Sequence, residues 1–224
     1  MKKYIFCLFV FTLMISFSWS CKPSKKGGLS AVITFMVGKV QVNTKKATIG
    51  IKLNVNDIVK TAENSIATIQ FSNSSVITVR SNSQIKLEQF VAKENMPSKI
   101  SLFQQKGKTF SKVFIKGTDY KVKTSTIIAA VRGTSFSVDT KEKFVKVSLL
   151  KGKVAVAPSD KGKIKKEKTV ILSAGQKIKS VDKKIEQPKK IEKKEKEILE
   201  QFNKISVVRE IKKIEDTASS KVKD

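Results

Sequence analysis

Short runs in which apolar and polar residues alternate dominate the middle of this sequence. They lie at 37–42, 66–71, 76–79, 85–87, 120–124, 134–138, 144–149 and 154–156. A period of two is typical of strands with one face buried and the other in water. Asn, Ser, Gly and Asp bound the runs, and the connections are short, as at 72–75. The pattern predicts an all-β fold, an antiparallel sandwich or β-roll of many short strands.

The N-terminus has the order of a secretory signal. Lys2 and Lys3 precede an apolar run over 4–15, and small residues follow it up to Ser20. The run has about a dozen residues, whereas a transmembrane helix needs about 20. We therefore predict a signal peptide at residues 1–20 and export of the protein.

Cys21 follows this segment directly, and the other cysteine, Cys7, lies inside it. A lone thiol in an oxidising compartment needs an explanation, and attachment of a lipid supplies one. The site resembles the lipobox of bacterial lipoproteins at Ser20, although Ser18 and Trp19 depart from it. We expect lipidation at Cys21 and a flexible tether over 21–29. This places the protein in the cell envelope, on a periplasmic or outer-membrane face. Ordinary cleavage after Ser20, which leaves a free thiol, is the alternative.

The chain is strongly basic, with 46 Lys plus Arg against 19 Asp plus Glu and a formal net charge of +27. Such a charge favours anionic partners. Export and the scarcity of arginine make nucleic acid an unlikely partner, since base and phosphate recognition favour Arg. An envelope protein, an anionic polymer and anionic lipid are the partners that this leaves. A general lysine bias that serves only solubility is the alternative.

Composition changes after residue 182. Lys and Glu dominate 183–224, and apolar residues recur there at spacings of three and four. We predict a β domain over 30–182 and a Lys/Glu-rich helical tail over 183–224 that begins after Pro188. The tail could dock on the domain, pair with another chain or lie free. Gly38-Lys-Val and Gly152-Lys-Val both open alternating strands, which hints at an internal duplication.

The sequence contains no constellation that indicates catalysis. It has no histidine, the commonest general base and zinc ligand, and no phosphate-binding or dinucleotide motif. Asp57, Asp119 and Asp139 are best interpreted as turn formers at strand ends. We therefore expect no enzyme activity, no catalytic residue, no metal and no cofactor. An envelope enzyme acting on cell-wall carbohydrate is the alternative.

Several motifs in order carry a resemblance to a known family. The segment 131–138 matches its Val-Arg-Gly-Thr-x-Phe-x-Val signature at Val131, Arg132, Gly133, Thr134, Phe136 and Val138. Upstream, 53–61 is similar to the pattern Leu-x-x-Gly-Asp-x-Ile-x-Thr, with Asn56 in place of Gly and Asp57 retained. Downstream, Gly175 and Gln176 fit the closing Ala-Gly-Gln turn. Over about 38–178 the chain resembles the FecR-domain family.

The resemblance implies an extracytoplasmic all-β domain. Signalling members of the family sense a loaded outer-membrane receptor and control a sigma factor through an N-terminal cytoplasmic segment. Only three residues precede the apolar run here, so we expect no such segment. The expected function is that of a membrane-tethered, non-enzymatic binding or scaffold module. Its oligomeric state is not predicted.

Two interpretations of the Arg132-Gly133 pair stay open. In the structural one, Gly133 permits a bulge or a close approach between strands, and Arg132 satisfies nearby carbonyl groups. In the functional one, Arg132 binds an anion or a carboxylate. Glycine inside a strand usually marks a bulge, which favours the structural interpretation.

Overall fold

The computed structural model describes residues 30–93, 96–131, 133–160, 163–164, 168–182 and 184–204. The described helix is α1 (Lys193–Asn203). The strands are β1 (Ala31–Val37), β2 (Val40–Val42), β3 (Lys45–Lys46), β4 (Lys52–Leu53), β5 (Ile58–Thr61), β6 (Ile66–Phe71), β7 (Ser75–Val79), β8 (Gln84–Lys93), β9 (Met96–Val113), β10 (Asp119–Lys123), β11 (Ile127–Val131), β12 (Ser135–Thr140), β13 (Phe144–Lys151), β14 (Lys153–Asp160), β15 (Lys163–Ile164), β16 (Val170–Ser173), β17 (Gln176–Val181), β18 (Lys184–Ile185) and β19 (Lys189–Lys190). The predicted all-β class with a C-terminal helix is confirmed.

Strand β9 is a central strand of two sheets. Its last residues, 107–113, pair with β7 and β12 in sheet A, which has the order β4-β1-β6-β7-β9-β12-β13-β17. Its earlier residues pair with β8 and β10 in sheet B, which has the order β3-β2-β5-β8-β9-β10-β11-β14-β16. Among the described strands the pairing is antiparallel except between β9 and β10, which are parallel.

The two sheets pack face to face around one apolar core. Ile69 and Val147 of sheet A and Leu102 of sheet B are each 0% exposed and belong to the same cluster. Tyr120 of sheet B reaches across, and its hydroxyl lies 3.0 Å from the hydroxyl of Ser111 in sheet A. Complete burial raises the pKa of Tyr120, because the phenolate would lose its solvation there. The domain is therefore a sandwich in which polar contacts also join the layers.

The chain passes between the sheets at residues with a positive φ. These are Gly38, Gly50, Asn56, Asn64, Asn82, Gly107, Gly117, Gly133, Gly152 and Gly175. Left-handed backbone is the conformation that Gly and then Asn adopt with the least strain. Asn56, with φ of 75°, therefore occupies the position where the family pattern has Gly without requiring a different turn.

At some of these crossings the glycine lies in close contact with a serine or threonine that belongs to another crossing. The pairs are Gly38 with Ser65, Gly107 with Ser83, and Gly152 with Thr134. The hydroxyl of Ser65 accepts a hydrogen bond from the amide of Lys39 at 2.9 Å, directly after the first glycine. Gly38 and Gly152, which open the two similar sequence segments, both lead from sheet A into sheet B. The similar segments at Gly38 and Gly152 therefore occupy crossings of the same kind, from sheet A into sheet B.

Two predicted boundaries differ from the structure. The alternation over 37–42 predicts one strand, but Gly38, with φ of 75°, turns the chain into the other sheet between β1 and β2. The predicted β domain ends at residue 182, whereas β18 and β19 pair with β17 beyond that point. Both strands have only two residues, too few to show an alternating pattern.

Helix α1 docks on the outer face of sheet A. Leu199 is buried, and the ring of Phe202 stacks on Phe110 with centroids 4.0 Å apart and planes within 8°. The side chain of Asn203 accepts a hydrogen bond from the Ser135 hydroxyl at 2.7 Å. Of the three alternatives for the tail, residues 193–203 therefore dock on the β domain. The predicted tail beyond residue 204 lies outside the described residues. No helix that the structure describes has the length and apolar character needed to cross a bilayer.

An acidic side chain of α1 also binds the basic surface beneath it. Glu195 accepts hydrogen bonds from Lys146 at 2.9 Å and from the Ser148 hydroxyl at 2.8 Å, and Lys177 lies 3.8 Å away. Burial opposes ionisation of this carboxyl group, but the hydrogen bonds from Lys146 and Ser148 outweigh it and lower its pKa. Glu195 thus fixes α1 on sheet A electrostatically as well as through apolar contacts.

Candidate binding groove

An open groove of about 1160 Å³ lies on the outer face of sheet B, across β9, β10, β11, β14 and β16. One row of outward-facing residues crosses it by strand pairing. Lys121 lies opposite Ala130, Ala130 opposite Ala155, and Ala155 opposite Ile171. The small side chains of the two alanines make the floor of the groove flat. Ile171, which is 55% exposed, forms an apolar side of the groove. We call this surface the outer groove.

The outer groove is positively charged. Lys99, Lys121 and Lys153 line it together with one acid, Asp119. The Lys121 ammonium lies 2.8 Å from the Asp119 carboxylate, which pairs these two charges. Lys99 and Lys153 make no ion pair with any residue that the structure describes. The groove therefore offers two uncompensated cations to a ligand.

A neighbouring acidic residue on the same face, Glu88, already has hydrogen-bond and ion-pair partners within the sheet. Glu88 of β8 accepts a hydrogen bond from the Ser101 hydroxyl at 2.9 Å and pairs with Lys123 at 2.9 Å. It thus neutralises Lys123 within the sheet. Of the lysines that line the groove, Lys99 and Lys153 thus have no acidic partner among the described residues.

The signature segment 131–138 reaches this same end of the groove. Val131 lines it beside Gly152, and Gly133 has φ of 70° at the crossing into sheet A. A Cβ atom on Gly133 would meet only Lys116, at 3.8 Å, so φ rather than crowding requires glycine here. The bulge expected near Gly133 lies two residues further on, between Ser135 and Phe136 in the pairing with β13.

The close approach between two backbone segments that the structural interpretation allows at Gly133 occurs at Gly152. A Cβ there would lie 2.6 Å from the methyl carbon of Thr134 and 2.9 Å from the carbonyl oxygen of Gly133. The two ends of the β12–β13 hairpin, at Gly133-Thr134 and Gly152, are therefore packed against each other at one corner. Phe136 continues from this corner into the core, where its ring meets the edge of Tyr120 with centroids 6.0 Å apart.

The other family-motif residues stabilise turns. The Asp57 carboxylate accepts hydrogen bonds from the side-chain amide of Asn43 at 2.9 Å and from the backbone amide of Asn54 at 2.7 Å. Gln176 accepts one from the backbone amide of Ser173 at 2.8 Å, across the crossing at Gly175. These residues lie away from the outer groove and contribute to the fold.

Two candidate residues have no described placement. Cys21 and Arg132 lie outside the described residues, so the lipid site and the anion-binding interpretation of Arg132 stay predictions. Of the candidate acids, Asp119 lies in the outer groove, while Asp139 is opposite Lys108 and Lys146 in sheet A. Within the described ranges, no three Cys, Asp or Glu residues come together as a metal site would require.

Sequence reasoning did not identify Lys99, Lys153 and Ile171. The alternation over 120–124 indicates that Lys121 faces outward, but it does not show which strands lie beside it. Those neighbours come from pairings across long sequence separations, and one of them, β9 with β10, is parallel. Knowledge of the strand order would have been needed to locate the groove.

Comparison with known proteins supports the family resemblance. The family model described as FecR protein matches residues 57–155. Two crystal structures of a candidate anti-sigma factor from Parabacteroides distasonis ATCC 8503 are similar, each at 17% identity, with TM-scores of 0.47 and 0.46. The alignments cover 59% of this chain and 59% of each of those chains. No curated protein matches this sequence. The matched segment includes the signature at 131–138 and its partner corner at Gly152, so residues 57–155 of this chain are similar to a FecR domain.

Proposed function

We propose that this protein is an exported, lipid-anchored module whose FecR domain binds an anionic polymer of the cell envelope in the outer groove. Anchoring at Cys21 is part of the proposal and is supported by the signal-like segment before it. The observation that carries the binding function is the pair of uncompensated lysines, Lys99 and Lys153, at one end of an open groove.

The shape of the outer groove favours an extended ligand. Its alanine floor allows a chain to lie flat, and the exposed Ile171 side chain can pack against the apolar faces of sugar rings. A polymer with regularly spaced anions would contact Lys99 and Lys153 together. Each exposed ion pair contributes little alone, so several contacts along one chain are needed for useful affinity.

The proposal assigns no catalytic step to the protein. The chain has no histidine, and the acid in the groove, Asp119, is paired with Lys121 at 2.8 Å. An envelope enzyme is the alternative, and Asp119 would be its residue to test.

The test measures binding of dextran sulfate, with uncharged dextran as the reference ligand. Lys99→Gln combined with Lys153→Gln should weaken binding roughly tenfold, because each pair contributes up to about 1 kcal/mol. The matched control is Lys106→Gln combined with Lys143→Gln, which removes the same charge from exposed positions outside the groove. Equal losses in both double variants would show that net charge alone binds the polymer. Hydrolysis of cell-wall fragments that Asp119→Asn abolishes would instead support the enzyme.

A further inference from the structure

The N-terminal edge of the sandwich exposes apolar side chains that the core does not use. Phe35 is 50% and Val37 48% exposed, and both lie on the outer face of sheet A at the end of β1. Ile49, in the loop before β4, is 46% exposed. Elsewhere among the described residues, large exposed apolar side chains occur only at Val55, Ile115 and Ile171.

Two of these side chains lie on one face of β1. Phe35 is paired with Thr68 and Val37 with Ile66, and residues two apart on a strand share a face. Ile49 lies instead in the turn before β4, where the amide of Ile51 donates to the Thr48 carbonyl at 3.4 Å. We call Phe35 and Val37 the β1 patch.

Exposed lysines lie along the N-terminal edge of the sandwich, in the strands and turns next to β1. Residues 30–61 contain Lys39, Lys45, Lys46, Lys52 and Lys60, all exposed, against Asp57 as the only acid. Asp57 is engaged by Asn43 and Asn54 within its own turn. An apolar tip with basic neighbours is the surface that binds the interface of an anionic bilayer.

The chain length before β1 limits how far this surface can lie from an anchor. Eight residues lie between Cys21 and Ser30, so nine residue-to-residue steps lead from the cysteine to the start of β1. Fully extended, they span at most about 30 Å, at roughly 3.3–3.6 Å per residue. A domain anchored at Cys21 therefore keeps the β1 patch within reach of the lipid headgroups.

We propose that the β1 patch is a membrane-contact surface that inserts Phe35 and Val37 between the headgroups of an anionic bilayer. The proposal rests on the anchored location given under the proposed function. Two contacts, the lipid and the patch, fix the orientation of the domain. They direct the β1 edge to the membrane and leave the outer groove on sheet B free for a polymer.

The test uses the chain from Cys21 onward, the processed form that the proposed anchoring implies, in vesicles rich in phosphatidylglycerol with brominated acyl chains as quenchers. Trp19, the only tryptophan in the sequence, precedes Cys21, so the processed chain gives a dark background. In that background Phe35→Trp reports on the patch, and Ile171→Trp, at a similarly exposed position in the outer groove, is the matched control. We expect a blue-shifted spectrum and severalfold stronger quenching for Phe35→Trp. Val37→Ser should reduce this quenching, and phosphatidylcholine vesicles should abolish most of it.

Equal quenching of the Phe35→Trp and Ile171→Trp proteins would overturn the membrane-contact surface. A circular dichroism spectrum unchanged from that of the processed chain without a probe verifies that each probe variant is folded. Failure of anchoring is read separately, from incorporation of a labelled fatty acid that Cys21→Ala abolishes. Strong Phe35→Trp quenching without that label would keep the contact surface and refute the lipid anchor.

Discussion

The outer faces of the two sheets carry similar residues but differ in what balances their charge. On sheet A, Lys146 and Lys177 face Glu195 of α1, and the helix covers the hydroxyl and aromatic side chains around them. On sheet B, Lys99 and Lys153 face the open groove and have no acidic partner among the described residues. A lysine-rich strand face is thus a docking site for the chain's own helix in one case and an open surface in the other. The remote acidic residue, rather than the lysine pattern, makes the difference.

The largest expected effect comes from removing the apolar contact that holds α1 on sheet A. Leu199→Ala should reduce the free energy of unfolding by about 2–4 kcal/mol, because Leu199 is 3% exposed and a cavity would form beneath the helix. Urea titration followed by circular dichroism measures it. Ile171→Ala on sheet B, where the side chain is 55% exposed, should change stability by less than about 0.5 kcal/mol. Similar losses of stability in the two variants would mean that the outer face of sheet A is no better covered than the outer face of sheet B.

A smaller effect should follow from removing the charge on Glu195. Glu195→Gln should cost about 1.5–3 kcal/mol, the usual contribution of hydrogen bonds to a charged group. Since its folded-state pKa lies below the ordinary value of 4.5, Glu195 stabilises the fold above that pH, and the contribution disappears as pH falls through the lowered pKa. Unfolding midpoints of the wild type and the variant should therefore converge in acid. Glu197→Gln, an exposed position on the same helix, should leave the pH profile unchanged.

The smallest expected effect concerns the lysines themselves. Lys153→Gln should leave the melting temperature nearly unchanged, within about 0.5 kcal/mol, because no described partner loses a contact. Lys146→Gln removes a hydrogen bond to the partly buried Glu195 and should be clearly destabilising. Calorimetry of the two single variants compares the faces directly. A destabilised Lys153→Gln protein would indicate that the outer groove has a structural charge partner.

The fold class was predictable because alternation is a local property of each strand. The crossings were only partly predictable: Gly38 and Asn56 are recognisable as turn residues, but a turn within a sheet and a crossing between sheets use the same residue types. Strand β11 gave no alternating signal, since Ile127, Ile128 and Ala129 are all buried. The long strand β9 was also missed, because register shifts opposite β8 interrupt its period.

The candidate site was less predictable than the fold. The signature at 131–138 identified the family, yet it specifies a corner and a left-handed Gly133 rather than a ligand contact. The surface lysines that matter depend on which of them find acids, and Glu195 lies nearly fifty residues after Lys146 in the sequence. Local sequence patterns do not contain that information.

Strand β9 has a consequence for how the molecule comes apart. Among the described strands, those before β9 are joined to those after it only through the ladders that β9 forms with β7, β8, β10 and β12. A boundary between independent domains is a place that few contacts cross, and here any cut between the halves breaks hydrogen-bonded ladders in both sheets. The halves therefore open together or not at all, and the amide protons in the middle of β9 exchange with solvent only when the whole sandwich unfolds. During synthesis, neither sheet can be completed from β1 to β8 until β9 has been made and has paired with them.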